Sequence, residues 1–243
     1  MKRLVLGIIF IAASLTSFAQ KDFDDLKILY ADGNYEKLVK EAEKYCNDDE
    51  LKKDPIPHLW MAKGLYKISV SGNDDPVYKN AYKDALGALS KFIKNDKSGE
   101  AMSDPDNSEF VDMMQKSLME QIDNELTTDN YRKAYSWVIK YKKISNNLIG
   151  EMYLEGASKF KTDDKSSAFT LWRDAETALG KITSTQDWSE TDLKMLRVGA
   201  LKSAECLVSV RQVDKAKALL NKVAPWFEGD EDFKEAYDAV VNK

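Results

Sequence analysis

The chain has 243 residues, of which 36 are Lys or Arg and 41 are Asp or Glu, so its formal net charge at pH 7 is −5. An acidic chain is a poor candidate for binding nucleic acid or an anionic membrane surface, because both depend on concentrated Lys and Arg. The single His excludes His-rich metal sites and most His-dependent catalytic triads.

The N-terminus is typical of a signal peptide for export. Residues 2–3 are basic, residues 4–13 form a short apolar run, and small residues precede a cleavage site after Ala19. The apolar run is too short for the roughly 20 residues of a membrane-spanning helix. Residues 18–21, Phe-Ala-Gln-Lys, resemble the signal-peptide ends of exported Bacteroidota proteins. We therefore expect a single mature domain over 20–243, periplasmic or secreted and without a membrane span; the alternative is a buried N-terminal helix.

Helical periodicity dominates the rest of the sequence, because apolar residues recur three and four positions apart and no convincing alternating strand is present. Five segments share mostly apolar or small residues at offsets 0, 3, 7 and 10, which lie on one face of a helix. These segments begin at Tyr35, Tyr78, Tyr131, Lys165 and Val213. The second position is Ala in four segments and Leu in the fifth. A small residue at this position allows two helices to approach closely.

A further apolar helix is predicted before each segment, and short turns containing Asp, Asn or Thr can cap the second helix of the first four pairs. These first helices are predicted over residues 23–30, 59–70, 110–126, 148–160 and 193–210. The unit is therefore helix, turn, helix. Residues 233–241 carry one more apolar stripe and are predicted to form a closing helix over the end of the stack.

Several short patterns in these helices are similar to a known repeat. Residues 33–38, Gly-Asn-Tyr-Glu-Lys-Leu, form a turn and a helix start, Trp60 precedes Gly64 by four positions, and Gly156 precedes Ala168 by twelve. These patterns resemble tetratricopeptide repeats. The five segment starts are 43, 53, 34 and 48 residues apart, and only one of these steps equals the 34 residues of a regular array. The resemblance implies an all-α solenoid of about five degenerate hairpins with a C-terminal closing helix; the alternative is a generic all-helical bundle.

The resemblance also implies where a partner binds. Tyr153 and Phe160 are expected to face the concave groove in which members of this family bind extended peptides or partner helices. Lys63 and Lys67 are expected to lie near the same groove. The Lys and Asn set with which some members clamp a C-terminal carboxylate is not recognisable, so that ligand is not expected.

Motifs of common enzymes are absent from the sequence, including the Gly-x-Ser-x-Gly, phosphate-binding, dinucleotide-binding and Cys-x-x-Cys patterns. His58, at the start of a predicted helix, is expected to be a surface or capping residue. Cys46 and Cys206 are expected to be small buried side chains rather than a disulfide. We therefore predict a protein that is not an enzyme, with no catalytic residues and no cofactor.

Acidic runs are the remaining candidates for a metal site. Asp104, Asp106 and Glu109 offer oxygen ligands for calcium, but the central Gly and twelve-residue frame of a helix–loop–helix calcium site are missing. Acids also stabilise helix starts, which is the simpler interpretation. No metal site is predicted.

Together these features predict an exported, non-catalytic scaffold or adaptor of the cell envelope that holds another exported protein in its groove. One alternative is an envelope protein that binds a small molecule or glycan, or a hydrolase that uses two acids in a helical cleft. That alternative predicts a deep aromatic pocket and two convergent carboxylates with raised pKa values. A structural subunit of a larger assembly is a third possibility. Trp226 and Phe227 are expected to seal the last hairpin rather than form an exposed patch.

Overall fold

The computed structural model describes residues 22–241, so the predicted signal peptide and its cleavage site lie outside the described residues. The described range contains eleven α-helices and no β-strand, which confirms the all-α prediction. In chain order these are α1 (Asp24–Ala31), α2 (Tyr35–Asn47), α3 (Pro55–Val70), α4 (Ala81–Asn95), α5 (Pro105–Thr127), α6 (Tyr131–Tyr141), α7 (Ile149–Lys161), α8 (Lys165–Leu179), α9 (Glu190–Ser209), α10 (Val213–Val223) and α11 (Glu231–Val241). None of the helices in this range is long and apolar enough to cross a membrane.

Capping side chains explain where several helices begin. Asp54 and Asp104 each precede a proline in the first turn, and each carboxylate accepts a hydrogen bond of 2.9 Å from the backbone N–H two residues on. A proline loses nothing there because its missing N–H would have no partner inside the helix. Ser189 caps α9 by accepting from the N–H of Asp192 at 3.0 Å. The acidic run that begins at Asp104 therefore starts a helix, as the simpler interpretation expects.

The start of α4 differs from the prediction, because the helix begins at Ala81 instead of Tyr78. Tyr78 ends a separate 3₁₀ turn, Pro76–Tyr78. Asp75 caps that turn by accepting from the N–H of Val77 at 2.9 Å. Asn80, with φ of −110°, then separates the turn from α4. The other four predicted starts of second helices coincide with the observed first residues of α2, α6, α8 and α10.

Four connections share one backbone geometry: those between α1 and α2, α5 and α6, α7 and α8, and α9 and α10. Each is three residues long. The middle residue has a positive φ, which is 71° at Gly33, 53° at Asp129, 69° at Asp163 and 62° at Arg211. The N–H of the following residue donates to the carbonyl five positions back, at 2.8–2.9 Å. This combination is the Schellman motif, which pairs otherwise free carbonyl groups at the end of a helix.

Two large apolar cores are joined through the middle of the chain. The N-terminal core is built mainly from α3, α4, α5 and α6, and the C-terminal core from α7, α8, α9, α10 and α11. A smaller cluster holds α1 against α2. Leu154 of α7 and Met195 of α9 belong to the N-terminal core, so these two helices connect both cores.

The crossing of α7 and α9 brings the two backbones into contact at glycine residues. A Cβ atom on Gly199 would lie 2.5 Å from the carbonyl oxygen of Gly150, and a Cβ atom on Gly150 would lie 2.5 Å from the amide nitrogen of Leu196. No real side chain tolerates these distances. Helix α7 is thereby held between α6, α8 and α9.

His58 is buried, so the prediction of a surface or capping position is wrong. Helix α3 begins earlier than predicted, at Pro55, which turns His58 toward α2. Its Nδ1 atom lies 3.1 Å from Sγ of Cys46, and its Nε2 atom lies 3.2 Å from the carbonyl oxygen of Lys52. Burial lowers the pKa of His58 and raises that of the Cys46 thiol to about 11.

The last hairpin is sealed by aromatic side chains, as predicted for Phe227. Phe227 is buried, and its ring centroid lies 5.0 Å from that of Phe233 on α11. Trp226 is half-buried and lies 6.4 Å from Trp188. Cys206 is buried in the same core, and burial raises the pKa of its thiol to about 11.

Candidate functional site

The residues predicted to face the groove do not form one accessible surface. Tyr153, Phe160 and Lys63 are only 2%, 7% and 8% exposed, and Lys67 is half-buried on α3, apart from the first two. The expectation that Tyr153 and Phe160 face an open groove is therefore wrong, and Lys63, expected near the same groove, is buried as well. The physical reason for Tyr153 and Phe160 is that α7 is packed by helices on three sides.

The contacts of Phe160 and Lys63 explain their burial. The Phe160 ring lies 5.7 Å from the ring of Trp172 in the C-terminal core. Lys63 donates from Nζ to Oδ1 of Asn107 at 3.1 Å and lies 5.0 Å from the ring centroid of Trp60. Both side chains thus have partners within the protein.

A cleft of about 900 Å³ lies between α8 and α10. Helix α8 packs chiefly on α7, and α10 packs chiefly on α9, so α7 and α9 supply the floor of the cleft and the other two helices its walls. The apolar lining residues are Phe169, Trp172, Leu179, Leu207, Ala218 and Leu219. The polar and charged ones include Thr170, Arg173, Glu176, Gln212, Lys215 and Lys222, and Tyr153 contributes from α7.

Local packing fixes the floor of this cleft. Gly156 allows the Trp172 indole to lie directly on α7, since a Cβ atom at that position would collide with the indole ring. The indole Nε1 of Trp172 donates to the backbone carbonyl of Tyr153 at 3.2 Å. Ser203 of α9 donates to the same carbonyl at 2.9 Å. Tyr153 is therefore held in place from α8 and from α9 at once.

The Tyr153 hydroxyl is the most unusual group of the cleft. It is buried and has no hydrogen-bond partner among the described residues. Burial raises the pKa of Tyr153, and the charge of Glu176, which lines the cleft, raises it further. Leaving such a group unpaired costs about 1–3 kcal/mol, a cost that a bound partner removes.

Gln212 provides a second unpaired polar atom in the same cleft. Its Oε1 atom is buried and has no hydrogen-bond partner within the described part of the chain. Gln212 lies in the turn between α9 and α10, directly after the left-handed residue Arg211. Two residues that line the cleft therefore carry a buried polar atom without a partner among the described residues: a donor, the Tyr153 hydroxyl, and an acceptor, the Gln212 side-chain carbonyl.

The rim of the cleft is positively charged. Arg173, Lys215 and Lys222 carry three positive charges and Glu176 one negative charge, which leaves a net charge of +2 on the lining. All four side chains belong to exposed residues. Arg173 also lies 3.4 Å from its neighbour Asp174, a weak exposed contact. The rim is thus opposite in sign to the chain as a whole.

A second pocket of about 560 Å³ lies between α5, the α6–α7 connection and the start of α9. Its lining includes Asp112, Trp188 and Asp192. Burial and the charge of Asp192 raise the pKa of Asp112. Tyr141 donates from its hydroxyl to Oδ1 of Asp192 at 3.3 Å. No group of three or more His, Cys, Asp and Glu residues in the described range is arranged to hold a metal ion.

Sequence reasoning missed most of the α8–α10 cleft. Arg173, Lys215 and Lys222 have the pattern of any solvated helix face, and Trp172 has that of a core residue. One available signal was Gly156, whose missing side chain makes room for Trp172 against the backbone of Tyr153. The unpaired Oε1 atom of Gln212 could not be predicted from the sequence, because its burial depends on the conformation of the turn between α9 and α10.

Comparison of the chain with protein-family models, curated proteins and solved structures gives no match.

Proposed function

We propose that the protein is an exported, non-catalytic scaffold or adaptor of the cell envelope, which holds an extended segment of another exported protein in the α8–α10 cleft. The observation that carries this proposal is that Tyr153, which lines the cleft, has a buried hydroxyl with no partner among the described residues. An apolar floor with a few placed polar groups is the usual composition of a binding site.

The dimensions of the cleft favour an extended segment. Its lining residues run from Phe169 to Gly180 on one wall and from Gln212 to Lys222 on the other. At 1.5 Å per helical residue, each wall is roughly 15 Å long. An extended chain advances about 3.3 Å per residue, so the cleft accommodates roughly five residues.

We further propose that the helix pairs are degenerate tetratricopeptide-like units that stack into a solenoid. The four matching turns support this proposal, and so does the packing of Trp172 against Gly156. Stacked helix pairs produce extended binding surfaces. The step from such a fold to an adaptor function is an analogy, so the cleft itself must be tested.

An acid-pair hydrolase is the second candidate function, favoured by the interaction of Asp112 and Asp192 in the second pocket. A pair of carboxylates, one of them with a raised pKa as at Asp112, is the usual apparatus of glycoside hydrolysis. Removing one of them by Asp112→Asn abolishes activity on a glycan substrate if this function is correct. If mature wild-type protein hydrolyses no glycan in a substrate panel, the hydrolase is excluded for those substrates.

In-cell photo-crosslinking tests the scaffold proposal. A photoreactive phenylalanine analogue at Ala218, which is exposed and lines the cleft, is expected to capture one envelope protein in near-stoichiometric amounts. The same analogue at Glu120, exposed on α5, serves as the control. Equal capture at both positions, or none at Ala218, contradicts the proposal.

The variant Tyr153→Phe then tests the group that carries the proposal. Loss of the hydroxyl is expected to weaken crosslinking at Ala218 several-fold, because a buried hydrogen bond to the partner is lost. Tyr82→Phe is the matched control, since the Tyr82 hydroxyl lies 3.1 Å from Ser117 outside the cleft. Circular dichroism verifies that both variants fold. Equal effects of the two substitutions exclude a special role for Tyr153.

A further inference from the structure

We infer that the segment bound in the α8–α10 cleft is acidic, with Asp or Glu residues on both sides of an apolar side chain. This inference rests on the proposed function, because it specifies the chemistry of the partner in the same cleft. It follows from three properties of the cleft: the charge of its rim, its apolar lining, and its two unpaired polar atoms.

The charge of the rim selects the sign of the partner. Arg173, Lys215 and Lys222 outnumber Glu176 on a chain whose formal net charge is −5. Lys215 and Lys222 are seven positions apart, so they lie on the same side of α10 about two turns from each other. A ligand with a negative charge near each lysine is attracted, and a basic ligand is repelled.

The two unpaired atoms are one donor and one acceptor, the same two functions that a peptide backbone offers. A peptide carbonyl accepts a hydrogen bond, which the Tyr153 hydroxyl can donate, and a peptide N–H donates one, which Oε1 of Gln212 can accept. A saturated hydrocarbon ligand satisfies neither atom. A free carboxylate satisfies only Tyr153, because it has no proton to donate to Gln212.

The apolar residues determine what the centre of the segment carries. Phe169, Trp172 and Leu219 line the cleft together with Leu207 of the floor. Burial of one Leu or Phe side chain among them contributes favourably to binding, whereas a charged side chain there would lose its hydration. The expected segment is therefore acidic at both ends and apolar in the middle.

Fluorescence anisotropy with two peptides tests the inference on the full mature chain. The first peptide is Asp-Glu-Leu-Phe-Asp-Glu, blocked at both termini and labelled with fluorescein through a neutral linker. The second replaces every acid by its amide, giving Asn-Gln-Leu-Phe-Asn-Gln. We expect the acidic peptide to bind at least about tenfold more tightly, with an affinity that falls as salt is added.

Charge-matched variants of the protein assign this preference to the rim. The double variant Lys215→Gln/Lys222→Gln is expected to lose about tenfold in affinity for the acidic peptide and little for the amide peptide. Lys37→Gln/Lys40→Gln removes the same charge from exposed positions on α2 and should change neither affinity. A loss that is equal in both double variants overturns the inference, because it then reflects net charge alone.

The outcomes separate the inference from the function on which it rests. If both peptides bind equally and Tyr153→Phe weakens both, the cleft binds extended segments and the acidic preference is wrong. If neither peptide binds, mass spectrometry of the segment crosslinked at Ala218 decides: an acidic segment supports the inference, and a neutral or basic one overturns it. If nothing is crosslinked at Ala218 either, the proposed function fails and the inference fails with it.

Discussion

Glu151 lies in the first turn of α7 and is only 1% exposed. Its Oε1 atom has no hydrogen-bond partner among the described residues. Burial raises the pKa of its carboxyl group to about 8, and the nearby charge of Asp192 acts in the same direction. Ser145 and Lys142 favour the charged form, but Lys142 also pairs with Glu155 at 3.3 Å. The carboxyl group is therefore protonated in the folded protein at neutral pH.

Replacing this carboxyl group by an amide, in Glu151→Gln, should remove a pH dependence of stability. In the unfolded chain the pKa is near 4.5, so unfolding releases a proton between pH 4.5 and 8. The stabilising effect of the raised pKa is complete below pH 4.5 and is lost as the pH rises toward 8. By linkage the loss amounts to roughly 5 kcal/mol at most.

Urea unfolding at pH 5, 6, 7 and 8 measures this effect. The free energy of unfolding of Glu151→Gln, relative to the wild type, should increase steadily across this range. Glu120→Gln removes an exposed carboxylate and should show no such trend. A constant difference between Glu151→Gln and the wild type would mean that the Glu151 pKa is not raised.

Among the properties of individual residues, the burial of polar side chains was the hardest to predict from the sequence. His58 and Lys63 have the sequence context of surface residues, yet both are buried. His58 is buried because α3 begins at Pro55, which places its ring against Cys46 of α2, and Lys63 is buried because it donates a hydrogen bond to Oδ1 of Asn107 on α5 at 3.1 Å. Both causes are contacts with another helix, α2 for His58 and α5 for Lys63, which the apolar pattern of α3 alone does not reveal.

At the scale of elements, the α7–α9 crossing depends on Gly199. The variant Gly199→Ala places a methyl group 2.5 Å from the carbonyl oxygen of Gly150 and 3.0 Å from Cβ of Tyr153. The first contact is with backbone, which cannot rotate away, so the two helices must separate. We expect a loss of about 2–4 kcal/mol in the free energy of unfolding.

Gly87→Ala is the matched control for this prediction. Gly87 lies exposed in the interior of α4, and an added Cβ atom there has no neighbour within 4 Å. Alanine is the better helix former by about 1 kcal/mol, so this variant should be slightly more stable than the wild type. Thermal unfolding distinguishes the two substitutions. Equal destabilisation by both would contradict a specific backbone contact at Gly199.

Helix positions were predicted well where a local signal exists. The starts of α2, α6, α8 and α10 follow three-residue turns whose polar residues are visible in the sequence, and each lies at the predicted residue. The start of α4 was misplaced because a proline-led 3₁₀ turn continues the apolar pattern before the helix. Periodicity does not distinguish a 3₁₀ turn from the first turn of an α-helix.

At the scale of the whole molecule, stability should vary along the chain, because most packing joins neighbouring helices. Phe233 of α11 is buried against Phe227 at the C-terminal end. The variant Phe233→Ala should lose about 3 kcal/mol in that region. Hydrogen exchange should become faster in α10 and α11, with little change in α3 and α4.

Hydrogen exchange read out by mass spectrometry after protease digestion resolves these helices. Leu89→Ala provides the reverse control, since Leu89 is fully buried in the N-terminal core. It should accelerate exchange in α3 and α4 more than in α10 and α11. If either variant accelerates exchange equally in all helices, the chain unfolds as one cooperative unit instead.

The cleft could not be predicted from single residues or single helices, since α7, α8, α9 and α10 all contribute to it. The sequence predicts each of these helices, but not that α8 and α10 stand apart while α7 and α9 touch. Gly150 and Gly199 allow α7 and α9 to touch, and neither belongs to the offset pattern from which the helix pairs were predicted.

The three-residue turns also determine which connections between helices can tolerate inserted or deleted residues. In four helix pairs the three-residue turn between the helices is fixed by its own hydrogen bonds and by a residue with positive φ. One residue added to such a turn would rotate the second helix, so that its apolar face no longer packs on the first. Between pairs, residues 96–104 and 180–189 form longer connections. Insertions and deletions among related chains should therefore accumulate in those connections, and the spacing within pairs should stay constant. The step from Lys165 to Val213 is 14 residues longer than the step from Tyr131 to Lys165, and only three of these residues lie in the connection at residues 180–189; the other eleven lengthen α8 and α9 relative to α6 and α7. Differences in spacing along this sequence therefore involve the helices as well as the connections.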